Sequence, residues 1–165
     1  MADEPIGVMF FCLGNICRSP LAEALFRYHV RERGLDDQFQ IASSGTSAYH
    51  VGEPPDPGSV RVARQRLDLD ISHQRAQQLD AGHLAEFDYL VAMDNSNLSN
   101  ARRLNGAEEA NLLLFRNFEP NPDDRGADVP DPWGGGSSQF ERVYDIVYRC
   151  SEAFLDHICE REQLS

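Results

Sequence analysis

The fold of this chain can be inferred from one continuous segment, Val8-Met9-Phe10-Phe11-Cys12-Leu13-Gly14-Asn15-Ile16-Cys17-Arg18-Ser19-Pro20. Its first four residues form an apolar run that is typical of a buried strand. Gly14 and Asn15 are the residue types that most readily adopt a positive φ, so they predict a tight loop. Ser19 and Pro20 predict a helix start, with the hydroxyl as N-cap and the proline at the first helical position. A strand, a loop and a helix are therefore expected in direct succession.

The predicted loop is framed by Cys12 and Arg18 in a Cys-x5-Arg spacing. The backbone N–H groups of such a loop, and the positive end of the helix after it, favour a bound dianion. The same field favours a thiolate at Cys12, and Arg18 can donate two N–H groups to two phosphate oxygens. The chemistry indicated is attack of the Cys12 thiolate on phosphorus, giving a cysteinyl-phosphate that water later removes. In the alternative interpretation, Cys12 is a buried small residue and Arg18 is a surface charge.

Composition is that of an ordinary globular protein. With 165 residues, 41% of them hydrophobic and 25% charged, the chain suits a single domain over residues 1–165. The net charge of −12 argues against general nucleic-acid binding. The apolar runs are too short to span a membrane and the acidic N-terminus does not resemble a targeting segment, so a cytoplasmic location is expected. The four cysteines lack metal-ligand spacing, and we expect neither a metal nor a cofactor.

Hydrophobic periodicity predicts strands that alternate with helices. The predicted strands are Ile6–Phe11, Phe39–Ser43, Tyr89–Met93 and Asn111–Phe115. The predicted helices are Ser19–Arg33, Ser59–Leu67, Asp80–Glu86, Ser96–Leu104 and Ser138–Arg161. This alternation predicts an α/β fold, with a four-stranded parallel sheet, helices on both faces and the phosphate-binding loop after strand one. Ligands of such folds bind beyond the carboxyl ends of the strands, where Cys12, Ser43 and Asp94 are expected to converge.

The nine residues from Cys12 to Pro20 resemble the phosphate loop of the low-molecular-weight protein tyrosine phosphatases. Val129-Pro130-Asp131-Pro132 resembles the general-acid segment of that family, and the segment from Tyr89 to Leu98 resembles a third. The resemblance implies hydrolysis of phosphotyrosine and other aryl phosphate monoesters. Cys12 would be the nucleophile, Arg18 the phosphate binder and Asp131 the general acid and then base. Without the resemblance, an aspartate between two prolines is more typical of a turn.

The resemblance also implies roles for residues around the loop. The implied substrate-binding residues are Leu13, Gly14, Asn15, Ile16, Cys17, Ser19, Tyr49 and Trp133. Asn15 is expected in a left-handed conformation, held by hydrogen bonds that include Ser19 and Ser43. His73 is the candidate for a histidine that the family usually adds to this network, although one alignment places Gln74 there instead.

The resemblance also implies a disulfide within the loop and aromatic walls beside it. A reversible disulfide between Cys12 and Cys17 would protect the nucleophile, whereas the alternative for Cys17 is a buried loop residue. Tyr49 and Trp133 are expected to wall the cleft and to sandwich an aryl phosphate. Three glycines, residues 134–136, follow Trp133 where many family members have a second aromatic residue, so this loop departs from the family pattern.

Two other functions are compatible with parts of the pattern. An arsenate reductase on the same fold needs additional cysteines to pass the oxidation on, and none lies between Cys17 and Cys150. A non-catalytic phosphate-binding module has no need of Cys12 or Asp131. We therefore expect a phosphatase that acts on tyrosine-phosphorylated proteins or small aryl phosphates and releases inorganic phosphate. Neither a nucleic-acid nor a membrane partner is expected, and the protein is expected to be a monomer.

Overall fold

The sheet is built from four short strands, all parallel. The computed structural model describes residues 4–164. The strands are β1 Ile6–Cys12, β2 Phe39–Gly45, β3 Tyr89–Ala92 and β4 Leu112–Leu114. The helices are α1 Arg18–Glu32, α2 Pro57–Leu67, α3 Ala81–Glu86, α4 Asn95–Ala101 and α5 Ser137–Glu162. The strands pair in the order β2-β1-β3-β4, which confirms the predicted α/β architecture.

Strand β1 is central, and its side chains point into two separate cores. Val8, Phe10 and Cys12 face one core, which α1, α2 and α5 cover. Met9 and Phe11 face the other, which α3 and α4 cover. A strand buried on both faces has a continuous apolar sequence, which is why this run was recognisable. Within residues 4–164, no helix is both long enough and apolar enough to cross a membrane.

The start of α1 differs from the prediction. The helix begins at Arg18, with Cys17 as its N-cap, and no side chain caps it. Ser19 therefore lies in the first turn and is not the N-cap, so that prediction is wrong. Its hydroxyl donates instead to the carbonyl of Ser44, at 3.2 Å, and takes part in the contacts described below. The N-cap signal failed here because the hydroxyl accepts from the Asn15 side chain and donates to Ser44, instead of accepting a backbone N–H of the first helical turn.

The start of α2 also differs, by two residues. Asp56 is its N-cap and accepts a hydrogen bond from the Gly58 N–H at 2.8 Å, while Pro57 occupies the first turn. The Asp-Pro pair is a helix-start signal that the sequence prediction passed over in favour of Ser59. This cap matters for the site, because the Asp56 N–H donates to the carbonyl of Ile16 at 2.7 Å and so ties α2 to the loop.

The carboxyl ends of β1 and β2 lie side by side. The register pairs Cys12 with Gly45, and the N–H of Thr46, the residue just after β2, donates to the Cys12 carbonyl at 2.9 Å. A Cβ on Gly45 would lie 2.7 Å from the carbonyl oxygen of Leu13, so only glycine allows this approach. The loop after β1 is thereby held against the end of β2.

Candidate active site

The segment from Cys12 to Arg18 wraps into a cup. Asn15 adopts a φ of 59°, as predicted, and its N–H points at the Cys12 Sγ at 3.3 Å. In the described part of the chain, the backbone N–H groups of Gly14, Ile16 and Cys17 have no protein acceptor. Unpaired N–H groups around a buried sulfur, next to a helix N-terminus, form a site for an anion.

The Cys12 sulfur is buried at the base of the cup, with only 2% of the residue exposed. Two groups contact the sulfur: the Asn15 N–H and the Ser19 hydroxyl, whose oxygen lies 3.1 Å from Sγ. When the sulfur is a thiolate, the Asn15 N–H donates to it, and the single Ser19 O–H can turn from the Ser44 carbonyl to donate to it as well. Ser19 can therefore stabilise the anionic form of Cys12, both before attack on phosphorus and when the sulfur leaves.

Asn15 is held by a side-chain network. Its Nδ2 donates to the hydroxyls of Ser19 at 2.8 Å and Ser43 at 3.0 Å. The Ser43 hydroxyl donates in turn to Glu23 Oε1 at 2.8 Å. The Asn15 Oδ1 accepts the backbone N–H of Gln77 at 3.0 Å. The left-handed turn of the cup is thus fixed from β2, α1 and the segment before α3.

The expectation that His73 joins this network is wrong. Its side chain is exposed and lines a surface depression beside Arg27 and Tyr28. The neighbouring Gln74 donates to the carbonyl of Pro20 at 3.2 Å rather than to Asn15. The acceptor on Asn15 is satisfied by a main-chain N–H, and a main-chain donor leaves no signature in the sequence.

Arg18 is buried, which excludes the interpretation as a surface charge. Its Nη1 donates to Asp94 Oδ2 at 2.6 Å and to the Val129 carbonyl at 3.0 Å. Burial opposes the charge on Arg18, but Cys12, Asp94 and Asp131 outweigh that effect and raise its pKa. The Nε atom is buried without a partner among the described residues. One side of the guanidinium is therefore anchored, while Nε remains an unused donor.

Asp131 lies at the edge of the cup. Its Oδ2 is 3.7 Å from the Arg18 Nη2, and its Oδ1 accepts the Trp133 N–H at 3.1 Å. The side chain is 48% exposed, so it can reach both solvent and a ligand in the cup. Asp131 therefore lies in a turn, as its neighbouring prolines suggest, and it also lines the same cleft as Cys12.

Cys17 differs from Cys12 in its environment. It packs with Ile16, Ala76 and Phe140, and its thiol is free. Burial, together with Asp56 and Cys12, raises the pKa of Cys17 far above its ordinary range. Cys17 is therefore a protonated thiol at neutral pH. The disulfide with Cys12 stays a prediction.

The cup opens into a cleft of about 240 Å³. Its lining residues are Cys12, Leu13, Gly14, Ile16, Cys17, Arg18, Ser47, Tyr49, His50, Asp131 and Trp133. Tyr49 and Trp133 lie at the mouth, at the positions expected for aromatic walls. His50 was not predicted. Its ring lies against Gly14, where a Cβ would come within 2.9 Å of its Cδ2, and its Nδ1 is 3.0 Å from Glu53 Oε2.

We expect Asn15→Ala to lower stability more than Asn15→Gly. Alanine must hold a φ near 59° at a cost that glycine avoids, leaving a difference of about 1 kcal/mol. Both variants lose the side-chain network, so both should lower kcat about tenfold or more, because the cup is no longer held in shape. Urea unfolding measures the difference in stability, and steady-state rates with nitrophenyl phosphate measure the loss of kcat. Wild-type rates in Asn15→Gly would show that the network does not shape the cup.

Comparison with known proteins identifies the family. The family described as low molecular weight phosphotyrosine protein phosphatase matches residues 7–164. The low molecular weight phosphotyrosine protein phosphatase of Saccharomyces cerevisiae is 38% identical over 152 residues, covering 91% of this chain and 93% of the yeast protein. The human protein of the same name is 37% identical over 160 residues, covering 94% of this chain and 98% of the human one.

A solved structure also matches this chain over its whole fold. The crystal structure of YfkJ from Bacillus subtilis matches with a TM-score of 0.89 and 33% identity, covering 99% of this chain and all of YfkJ. The chain belongs to the low molecular weight phosphotyrosine protein phosphatase family. It is accordingly a protein-tyrosine phosphatase, a hydrolase, and both the resemblance and the enzyme class predicted from the sequence are confirmed.

Proposed function

We propose that this protein hydrolyses phosphotyrosine and other aryl phosphate monoesters through a phosphoryl group carried by Cys12. The observation that carries the proposal is the set of unpaired donors around one buried sulfur. The Arg18 Nε and the N–H groups of Gly14, Ile16 and Cys17 have no protein partner within residues 4–164. The Arg18 Nε is buried, and a buried donor is rarely left unpaired, so we infer that a ligand accepts from it and from the loop N–H groups. A phosphoryl group offers enough oxygens to accept from all of them.

In the first step, the Cys12 Sγ attacks phosphorus and the bond from phosphorus to the aryl oxygen breaks. Asp131, at the edge of the cup, gives its proton to that departing oxygen. Arg18 and the loop N–H groups hold the three equatorial oxygens, where negative charge is spread in the transition state. The products of the step are a phenol and an S-phosphorylated Cys12.

In the second step, a water molecule attacks the phosphoryl group on Cys12. Asp131, now a carboxylate, accepts a proton from that water, and the bond from phosphorus to sulfur breaks. Inorganic phosphate leaves, and the electron pair returns to sulfur. The Ser19 hydroxyl, 3.1 Å from Sγ, donates to the thiolate as it forms.

The depth of the cleft supports an aryl substrate. Cys12 is almost completely buried, while Tyr49 and Trp133 are exposed at the mouth. A flat ring between two aromatic walls carries its phosphate to the base of the cup, which the short side chain of phosphoserine does not reach. The proposed partners are tyrosine-phosphorylated proteins or small aryl phosphates. We further propose that the chain works as a monomer, in the cytoplasm, as one domain over residues 1–165.

Replacing Asp131 with alanine tests the role of the general acid. We expect a loss on the order of 10²–10⁴-fold with phosphotyrosine and phenyl phosphate, whose leaving oxygens need a proton. The loss should be smaller with nitrophenyl phosphate, because its phenolate is already stable. The alkaline limb of the pH profile of the first step should flatten, since the proton donor is gone. Stopped-flow release of the phenol across a series of leaving groups measures the effect.

Asp123→Ala is the matched control, because Asp123 is an exposed carboxylate in the same long loop but outside the cleft. It should leave the dependence on the leaving group unchanged. Equal losses for good and poor leaving groups in Asp131→Ala, with an unchanged alkaline limb, would contradict the role of Asp131 as acid.

A further inference from the structure

The exposed large apolar side chains of this protein are concentrated around one opening. Among residues 4–164 they are Leu13, Tyr49, Val51 and Trp133, with exposures of 43%, 83%, 56% and 65%. Leu13, Tyr49 and Trp133 line the cleft, and Val51 lies in the same loop as Tyr49. We call these four residues the apolar rim. Exposed apolar side chains that gather at one place mark an interaction site.

The described residues that line the cleft carry no exposed positive charge near its mouth. The one arginine that lines the cleft is Arg18, which is buried at its base. Nearer the mouth lie the half-exposed Asp131 and the pair formed by His50 and Glu53. The chain as a whole has a net charge of −12. A carboxylate next to the phosphotyrosine would therefore face an apolar surface and the Glu53 carboxylate, since Asp131 is protonated and neutral when it acts as the acid.

We propose that the preferred substrates are phosphotyrosines flanked by apolar side chains, and that acidic flanking residues weaken binding. The proposal rests on the proposed function and names the substrate class of the same site. The phosphotyrosine ring lies between Tyr49 and Trp133, and apolar flanking residues would cover the outer part of the apolar rim, which includes Val51, and remove that surface from water. Acidic flanking residues gain nothing there and meet the Glu53 carboxylate, a repulsion that salt would weaken.

Matched phosphopeptides test the proposal. Three peptides of equal length carry a central phosphotyrosine between leucines, between glutamines or between glutamates, and free phosphotyrosine serves as the reference. We expect kcat/KM for the leucine peptide to exceed that for the glutamate peptide about tenfold at low salt, with the glutamine peptide between them. Raising the salt concentration should narrow the gap between the glutamine and glutamate peptides.

Val51→Arg makes the test specific to the apolar rim. Relative to free phosphotyrosine hydrolysed by the same variant, the new charge should raise kcat/KM for the glutamate peptide several-fold and lower it for the leucine peptide. Gln38→Arg adds the same charge at an exposed position just before β2, at the opposite end of the sheet, and should leave the ranking unchanged. Equal rates for the three peptides, or a preference for glutamate, would overturn this proposal while leaving the phosphatase itself intact. Failure to hydrolyse even free phosphotyrosine would instead overturn the proposed function.

A second, independent observation concerns a buried carboxylate below the segment that carries Asp131. The Glu119 side chain is fully buried. Arg116 Nε donates to its Oε2 at 2.7 Å, and Arg149 Nε donates to its Oε1 at 2.7 Å. Burial opposes the charge on Glu119, but the hydrogen bonds from Arg149 and Arg116 outweigh it and lower its pKa. Glu119 therefore remains charged at neutral pH and fixes both arginines.

Arg116 also reaches the backbone just before Asp131. Its Nη1 donates to the Asp128 carbonyl at 2.9 Å, and Arg18 holds the next carbonyl, that of Val129, at 3.0 Å. The Val129 N–H donates to the Met93 carbonyl at the end of β3, at 2.9 Å. Two consecutive carbonyls, three and two residues before Asp131, are thus held by two arginines.

We infer that Arg116 is a positioning residue, which Glu119 orients and which places Asp131 over the cup through the Asp128 carbonyl. Arg116→Met should lower kcat for phenyl phosphate about tenfold more than for nitrophenyl phosphate, since a displaced acid is costly where the proton is needed. Arg116→Lys, which keeps a donor and the charge, should recover part of the loss.

Arg149→Met is the control, because it breaks the other half of the buried ion cluster without touching the Asp128 carbonyl. It should lower the Tm but leave the ratio of the two substrates near that of the wild type. Thermal unfolding shows whether each variant is folded, and Arg116→Lys carries the test if Arg116→Met is not. A wild-type ratio in the folded Arg116 variants would show that the cluster only stabilises the fold. The same altered ratio in Arg149→Met would show that the effect does not pass through the Asp128 carbonyl, and would also overturn the assignment of Arg116.

Discussion

Cys12→Ser is expected to abolish turnover, with a loss of kcat on the order of 10⁴–10⁶-fold. A serine hydroxyl is not ionised at neutral pH and is a far weaker nucleophile than a thiolate. The substitution is nearly isosteric at a buried site, so the fold should persist and the cup should still bind inorganic phosphate. Steady-state kinetics measure the loss of turnover, and phosphate titration of the same sample measures whether the cup still binds inorganic phosphate.

Cys159→Ser is the matched control for this substitution. Cys159 is a partly exposed cysteine of α5, outside the cleft lining, and its replacement should leave kcat unchanged. Rapid turnover by Cys12→Ser would contradict the assignment of the nucleophile. Cys17 would not replace it easily, because its raised pKa keeps that thiol protonated.

Arg18→Lys is expected to be nearly as severe, with a loss on the order of 10³-fold or more, although the charge is kept. One side of the guanidinium is already occupied by Asp94 and the Val129 carbonyl. A single ammonium group cannot hold these acceptors and also donate in parallel to two phosphate oxygens. Both kcat/KM for nitrophenyl phosphate and the affinity for inorganic phosphate should fall.

The control is Arg27→Lys, at an arginine of α1 whose side chain is 44% exposed and which bonds Glu23 and the Ile41 carbonyl. This substitution should leave both kcat/KM for nitrophenyl phosphate and the affinity for inorganic phosphate nearly unchanged. Near-normal rates in Arg18→Lys would mean that bidentate binding of the phosphoryl group is not required. A loss of rate with unchanged phosphate affinity would place the contribution of Arg18 in the transition state alone.

Local sequence signals predicted the centre of the site well. The apolar strand β1, the left-handed Asn15 and the helix that follows all lie within one short stretch, where composition reports directly on backbone geometry. The convergence of Cys12, Ser43 and Asp94 also follows from the sequence, because carboxyl ends of parallel strands share one edge.

Tertiary contacts account for what the sequence did not reveal. Ser19 carries an N-cap signal, yet its hydroxyl serves Cys12 and the Ser44 carbonyl. The Asn15 Oδ1 accepts a main-chain N–H of Gln77, so the side chain of His73 was never required. His50 lies in a loop without periodicity, and only the close approach of its ring to Gly14 reveals its place in the cleft.

Trapping the phosphoryl group on the enzyme is the most direct test of whether Cys12 is the nucleophile. The protein is mixed with nitrophenyl phosphate and denatured within milliseconds, and its peptides are then mapped by mass spectrometry. We predict that the peptide containing Cys12 gains one phosphoryl group, together with a burst of nitrophenol equal to the enzyme concentration. Asp131→Ala should retain the modification longer, because the water-activating base is missing. Full turnover with no phosphorylated peptide, or a phosphoryl group on another residue, would contradict the covalent role of Cys12.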